Sequence, residues 1–419
     1  MKKYACLILL CLLLTGCGVF EVNVRMLPSL TEPAHPGATV SPVLALSPTV
    51  QPSETPPAIA TSVVAAEPTS IVLQAGQPIT LTALQMGDGS EGWAVESSGH
   101  IVKTSDGGLS WKNAALQGSF DIHSLFAFNK ETVWAVPTQL DVSNVVWRTQ
   151  DGGETWEASQ PIQLGSGRYS PLEIQFPDAR NGWLLVLAHD DTQGSYVLLY
   201  KSSDGGQNWE QVSSLLDGVA QSYLPDAHTT AAFFDGQTGW VGGWWGKDDP
   251  SQWMALKTVD GGATWKTEAL PLPGQSSLTC DGHPVIEMGP GDMAVDMSCT
   301  QASDPKFRYH HLFYLSATGS PVWRSWKLSG EFQGIDFVNA NQGWMLVAPG
   351  GPLNEIYRTT DGGKTWTNIN VVAWKHAQFN FVNGGVGWAI VSDGSAVALV
   401  QTVNGGQTWA EIKPVVANP

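Results

Sequence analysis

Positive charge is scarce in this chain. Lys and Arg number 21 against 38 Asp and Glu, giving a formal net charge of -17. Affinity for a nucleic-acid backbone comes largely from cations that displace condensed counterions, so nucleic acid is disfavoured as a partner. Charged residues of both signs make up only 14% of the chain, against the quarter or so usual for globular proteins. Cysteine is sparse too, with three of the five at positions 6, 11 and 17. The one long apolar run, from Cys6 to Leu14, is shorter than the ~20 residues a membrane span needs. His-Glu-x-x-His, Cys-x-x-Cys and Gly-x-Ser-x-Gly are absent and the nine histidines are scattered, so neither a metal nor a cofactor is implied. Gly363-Lys364-Thr365 resembles the end of a phosphate loop, but Arg358 stands where that loop needs glycine.

What is plentiful is glycine, 45 residues, and tryptophan, 19. Turn-rich sequence with aromatic packing points to β structure.

Residues 1–16 combine Lys2 and Lys3, the apolar run and Thr15-Gly16, which is the build of an export signal. Leu14-Thr15-Gly16-Cys17 resembles a bacterial lipobox, implying lipidation of Cys17 as the new N-terminus and an extracytoplasmic, membrane-attached protein. A single uncleaved anchor is the competing reading. Cleavage removes two lysines and no acid, so attachment must come from lipid, and stable anchoring takes two chains. Residues 17–70 are rich in Pro, Ser, Thr, Ala and Val, and no aromatic residue occurs between Phe20 and Trp93. Such a stretch cannot bury enough apolar surface to offset its ordering entropy and is expected to be an extended tether. Cys280 and Cys299 are then the remaining pair. A hairpin turning at Gly289-Pro290-Gly291 would set them opposite each other, so a disulfide is expected, with two buried thiols as the alternative.

From residue 71 to 419 the chain repeats itself. Thr104-Ser-Asp106-Gly-Gly-Leu-Ser-Trp111 recurs with Asp151, Asp204, Asp260 and Asp361, and with Asn404 in the last copy; 316–323, Ser-Ala-Thr-Gly-Ser-Pro-Val-Trp, is a decayed copy. The closing tryptophans lie 43 to 58 residues apart, the period of a four-stranded propeller blade. A second motif runs in phase: Gly92-Trp93, Val133-Trp134, Gly182-Trp183, Gly239-Trp240, Gly343-Trp344 and Gly387-Trp388, with Met293-Ala294 in the decayed unit. Each motif counts seven. In the box, an Asp carboxylate can bond the amides of its own turn while glycines supply positive φ. The second unit is expected to form strands at 121–128, 132–137, 144–149 and 155–159, the box joining the third to the fourth. The fold expected is an all-β, seven-bladed β-propeller of four antiparallel strands per blade, closing without strand exchange between Ile79 and Val416.

These boxes resemble the Asp-box, or BNR, repeats of sialidases, sortilin-type receptors and the Ycf48/HCF136 photosystem II assembly-factor family, the last being the closest match. Phe337 followed by Gly343-Trp344 and then Thr-x-Asp-Gly-Gly-x-Thr-Trp carries that likeness, which covers residues 79–416. It implies an exported, often lipidated, non-enzymatic propeller that binds or assembles a membrane or envelope protein complex. An arginine-rich patch marks that family, whereas the seven arginines here do not cluster in sequence. A glycan-directed protein is the alternative, either carbohydrate-binding or a diverged sialidase with Arg168, Arg308, Arg324 and Tyr169 converging.

The remaining candidates are surface residues. The box turns should occupy one face, so insertions decorate the other. Trp244, Trp245, Asp248, Asp249 and Trp253 fall in one such loop, and Arg168 with Tyr169 in a neighbouring one; exposed aromatics beside polar groups mark protein or sugar contacts.

Overall fold

The computed structural model describes residues 73–417, apart from 115, 117–120, 141–142, 166, 191–193, 215–230, 246–252, 271–277, 289–292, 302–303, 316–321 and 329. The expected signal at 1–16, the expected tether at 17–70, Cys17, Asp248, Asp249 and most of the decayed box lie outside the described residues.

The chain forms a β-propeller. The first strands of successive repeats, Leu81–Met86, Ile122–Ala127, Arg168–Gln175, Ala231–Phe233, Leu278–Glu287, Glu331–Asn339 and His376–Phe381, adjoin one another in that order and back to Leu81–Met86. They therefore ring the axis, and each repeat steps outward from them. In the second repeat the strands are Ile122–Ala127, Val133–Pro137, Trp147–Thr149 and Glu157–Ala158, with the box between the last two.

The expectation of seven uniform blades of four antiparallel strands is corrected. Six sheets have that form; the remaining one is five-stranded and mixed. Its fifth strand, Val415–Val416, comes from the far end of the chain and lies parallel to Ser110–Asn113. Closure without strand exchange is corrected with it. The incoming segment clasps the same C-terminal residues: the Gly76 amide donates to the Val416 carbonyl at 2.8 Å and the Ile79 amide to Pro414 at 3.0 Å. The open edge of the outermost strand is covered by joining the two ends of the folded part.

Successive blades are tied by a device built from the second motif. The Trp134, Trp183 and Trp344 rings stack on Phe176, Phe233 and Phe381 of the next blade at centroid distances of 3.6, 3.9 and 3.5 Å. The indole N–H groups of Trp134, Trp183, Trp344 and Trp388 donate to box carbonyls of the next blade, those of Gly205, Gly261, Gly405 and Gly107, at 2.8 to 3.1 Å. A cation just before the box joins in. Arg148 Nη1 reaches the same Gly205 oxygen at 2.8 Å, Lys103 the Gly152 carbonyl and Lys201 the Gly236 carbonyl at 2.9 Å, while Lys201 and Arg358 lie over Trp183 and Trp344. Near the axis, Gln175, Asp336 and Asn380 accept the amides of Phe233, Phe381 and Met86 in the following blade. Lys103, Arg148, Lys201 and Arg358 are thus engaged at blade junctions.

Candidate functional site

The two faces of the propeller are unlike. On the box face each turn is closed by its own side chains. In the box of Asp361, Oδ1 accepts the Thr365 amide at 2.9 Å and Oδ2 the Thr365 hydroxyl at 2.7 Å, while the Thr359 hydroxyl donates to Oδ1 and accepts the Gly363 amide. Gly362 and Gly363 hold φ of 71° and 80°, left-handed backbone that side chains resist. The Gly362 amide crosses to the Asn341 carbonyl at 2.8 Å, in a turn that Asn339 closes by accepting the amides of Asn341 and Gln342. The same double lock recurs at Asp106 with Asp88, Asp204 with Asp178, Asp260 with Asp235 and Asn404 with Asn383. The box carboxylates are engaged inside their own turns.

These bonds set an acid limit. Hydrogen bonds from the Thr155 hydroxyl, then its amide, then the Thr149 hydroxyl hold the Asp151 carboxyl down at about 2. Partial burial pushes the Asp361 carboxyl up, but its bonds to Thr365 and Thr359 outweigh this and the net direction is down. A carboxyl whose folded pKa lies below the unfolded value of ~3.9 contributes stability that is complete above that value and disappears as pH falls through the folded pKa. Stability is therefore expected to drop on acidification from about pH 4 toward pH 2. Asp361→Ala should cost about 1–2 kcal/mol at neutral pH, while Asp361→Asn, imitating Asn404, should keep most of the stability and flatten the acid limb. Urea titrations at several pH values check this; an unchanged acid limb in the Asn variant refutes it.

The opposite face is uneven. The second strands Gly92–Glu96 and Val133–Pro137 have five residues, whereas Gly182–Asp190 and Met293–Gln301 have nine and Gly239–Trp245 has seven. All start at the same motif at the box end, so the added residues stand at the other end. Four more residues add about 13 Å of strand. Two blades, those of Gly182–Asp190 and Met293–Gln301, thus rise above the rest on the face away from the boxes, while Gly239–Trp245 between them matches the seven residues of Gln342–Ala348. The third strands Gly194–Ser202 and Asp304–Leu315 rise with their partners.

On this raised side the structure changes several sequence expectations. Trp244, Trp245 and Trp253 are strand residues: Trp244 and Trp245 end Gly239–Trp245, Trp253 begins Trp253–Thr258, and Trp245 pairs with Trp253 after an irregularity between Val241 and Trp244. Their assignment to a loop is corrected, since pairing continues through them. Arg168 and Tyr169 part company. Arg168 is exposed, across from His189, whereas Tyr169 is 3% exposed and packs in the core with Leu140 and Tyr200. Arg308 and Arg324 sit on the Leu278–Leu328 blade, separated from Arg168 by the blade of Ala231–Leu270. Cys299 is disulfide-bonded and Cys280 is its direct cross-strand neighbour.

Sequence reasoning missed a polar knot on the low side of this face. Glu96 is buried and its Oε1 lies 2.8 Å from His100 Nδ1, while the Ser98 amide donates to Oε2 at 3.0 Å. Burial pushes the Glu96 carboxyl up, and hydrogen bonds from Ser98 and His100 more than reverse that. Ser98 and Glu96 both meet the same ring nitrogen, so no relay runs from acid through imidazole to hydroxyl. No repeat flags the knot, because among the described residues it occurs in one blade. Among the described residues, no group of three or more His, Cys, Asp or Glu is placed to hold a metal ion.

No protein-family model and no curated protein matches the chain. Solved structures do. A puromycin-hydrolysing peptidase of Mycobacterium tuberculosis superposes with a TM-score of 0.53 at 13% identity, over 83% of this chain and 57% of its own. A GH74 xyloglucanase of Xanthomonas campestris gives 0.50 at 15%, over 82% of this chain and 55% of its own. YCF48 bound to a D1 peptide gives 0.46 at 17%, over 80% and 96%. The chain thus spans little more than half the length of the two enzymes. At such identities the likeness is one of fold, and one fold hosts many activities.

Proposed function

We propose that the protein is a non-enzymatic binding or assembly scaffold for a membrane or envelope protein complex, held outside the cytoplasm by lipid on Cys17. Its contact surface is the face away from the Asp boxes, on the two raised blades and the blade between them. The observation that carries this reading is the inequality of the faces. The box side spends its polar groups on turn closure, whereas the other side carries extra strand length that the ring does not need. Trp244, Trp245 and Trp253 end the hairpin that lies between the two raised blades, and tryptophan is over-represented among residues that dominate protein interfaces. The acidic balance of the chain favours a partner with a basic complementary patch.

An affinity capture from the protein's own detergent-solubilised membranes tests this reading. One membrane protein should copurify in stoichiometric amount, be lost with Trp244→Ala/Trp245→Ala and persist with Val403→Asp, a change at a residue 72% exposed on the box face. Loss with the box-face variant alone, or binding or cleavage of glycans in place of protein capture, would overturn it. Cys17→Ala should move the protein from the membrane fraction to the soluble one; continued sedimentation with membranes would remove the lipid anchor from the proposal.

A further inference from the structure

Three asparagines in the chain precede glycine: Asn181, Asn383 and Asn404. In such a pair the glycine nitrogen can add to the asparagine side-chain carbon Cγ, since glycine has no Cβ to hinder a close approach. The fold treats the three differently. At Asn404 the attacking nitrogen is occupied, the Gly405 amide donating to the Gly385 carbonyl at 2.8 Å. The Asn404 side chain is held as well, its Oδ1 accepting the Thr408 amide and its Nδ2 donating to the Thr408 hydroxyl. At Asn181, Nδ2 donates to Asp178 Oδ2 at 2.8 Å. Gly182 opens a paired strand there, so close under the Phe176 ring that a Cβ would lie 2.3 Å from it. Asn383 is exposed, in the turn between the first two strands of the last repeat. The Gly384 amide has no acceptor among the described residues. Asn383 Oδ1 meanwhile accepts two amides, that of Gly385 at 2.8 Å and that of Val386 at 2.9 Å. Two donors on one carbonyl oxygen draw charge from its carbon and stabilise the oxyanion that forms when a nucleophile adds.

We propose that Asn383 is a self-modifying site, which deamidates through a succinimide in the folded protein while Asn181 and Asn404 are shielded. The Gly384 nitrogen loses its proton to solvent and bonds to Asn383 Cγ; the Cγ–Nδ2 bond breaks and the amide nitrogen leaves as ammonia. Water then opens the ring at either of its carbonyls, giving aspartate or isoaspartate, so that amide and water become acid and ammonia. Aspartate suits this turn. Asp88, Asp178 and Asp235 stand at the equivalent position, and each accepts the same two amides. Isoaspartate does not, because it adds a methylene to the backbone two residues before the Gly385 carbonyl that holds the Gly405 amide. Asn129 and Asn339 fill the same turn position but precede Lys130 and Ala340, whose side chains hinder the nitrogen. The site lies at the box end of the last blade, apart from the raised face, so it stands or falls independently of the proposed scaffold role.

The test is to incubate the folded protein in warm, mildly alkaline buffer made with oxygen-18 water and to map its peptides by mass spectrometry over days. Each conversion of amide to acid is then read site by site, with the solvent oxygen it takes up. Asn383 should convert roughly tenfold or more faster than Asn181 and Asn404, whose hydrogen bonds must open before they react. It should yield both aspartate and isoaspartate, resolved by chromatography. In urea, with the locks gone, the three asparagines should convert at similar rates. Gly384→Ala, whose Cβ meets only the side-chain ends of Gln342 and Arg358, should slow the reaction severalfold in the folded state. Conversion of Asn383 no faster than that of Asn404 in folded protein, the same order of rates in urea, or aspartate formed without isoaspartate would overturn the site.

Discussion

Trp388→Ala is expected to lower the unfolding free energy by about 3–5 kcal/mol, the range for removing a large buried aromatic side chain. The residue is fully buried within the cluster that joins the last repeat to the first, packing with Leu84, Met86 and Leu399. Its indole N–H reaches the Gly107 carbonyl at 2.9 Å, across 281 positions of sequence. The bond therefore acts on ring closure, the step with the largest entropy of loop formation. Removing the ring leaves a void and an acceptor without its donor. Trp388→Phe separates the two effects: it keeps most of the packing and loses the bond, and should cost about 1–3 kcal/mol. Urea denaturation followed by circular dichroism reads both. A Trp388→Ala cost below about 1 kcal/mol would mean that the C-terminal strand and the Asn380 bond to the Met86 amide close the ring without help from this tryptophan.

The elements legible in the sequence were those repeated by residue identity. The Asp-Gly-Gly boxes and the Gly-Trp motif gave the propeller, the place of the box between third and fourth strands, and the deviant unit near 293–323. Repeats by chemical class escaped notice. The residue five before the second-motif tryptophan is Asp88, Asn129, Asp178, Asp235, Asn339 or Asn383, and in each case its side-chain oxygen closes the turn. The residue before the box is Lys in three copies and Arg in two, which hides its repeated use as a blade tie. Val415–Val416 was illegible for another reason: two residues show no alternation, and their partner strand lies some 300 positions away. The raised blades were visible as longer box spacings, but added length reads equally as loop or strand. Val-, Leu- and Trp-rich segments such as 182–202 and 239–258 resolve that choice toward strand, since such side chains gain by packing on a pleated surface. Tyr169 was misjudged beside Arg168 because neighbouring strand positions alternate between faces, so only one of the two could be a surface residue.

The Gly of the second motif yields the other large effect. Phe381 and Gly387 are direct cross-strand partners, and a Cβ at Gly387 would lie 2.4 Å from Phe381 Cδ1. The Phe381 ring cannot retreat, being stacked 3.5 Å from Trp344 of the preceding blade. Gly387→Val should thus cost about 3 kcal/mol, at the upper end for overpacking a tight core. The second repeat shows what relieves the crowding: there the partners are Ala127 and Val133, small where the other is phenylalanine and larger where the other is glycine. Phe381→Ala alone should cost about 3–5 kcal/mol through the lost stack. In the double variant the clash is gone and the added valine fills part of the space left by the ring, so the combined loss should fall short of the sum by 1 kcal/mol or more. A double-mutant cycle in urea measures that coupling. Strict additivity would mean that the backbone yields to a side chain at Gly387 at no cost to its neighbour, and the pairing of large with small at these two positions would need another cause.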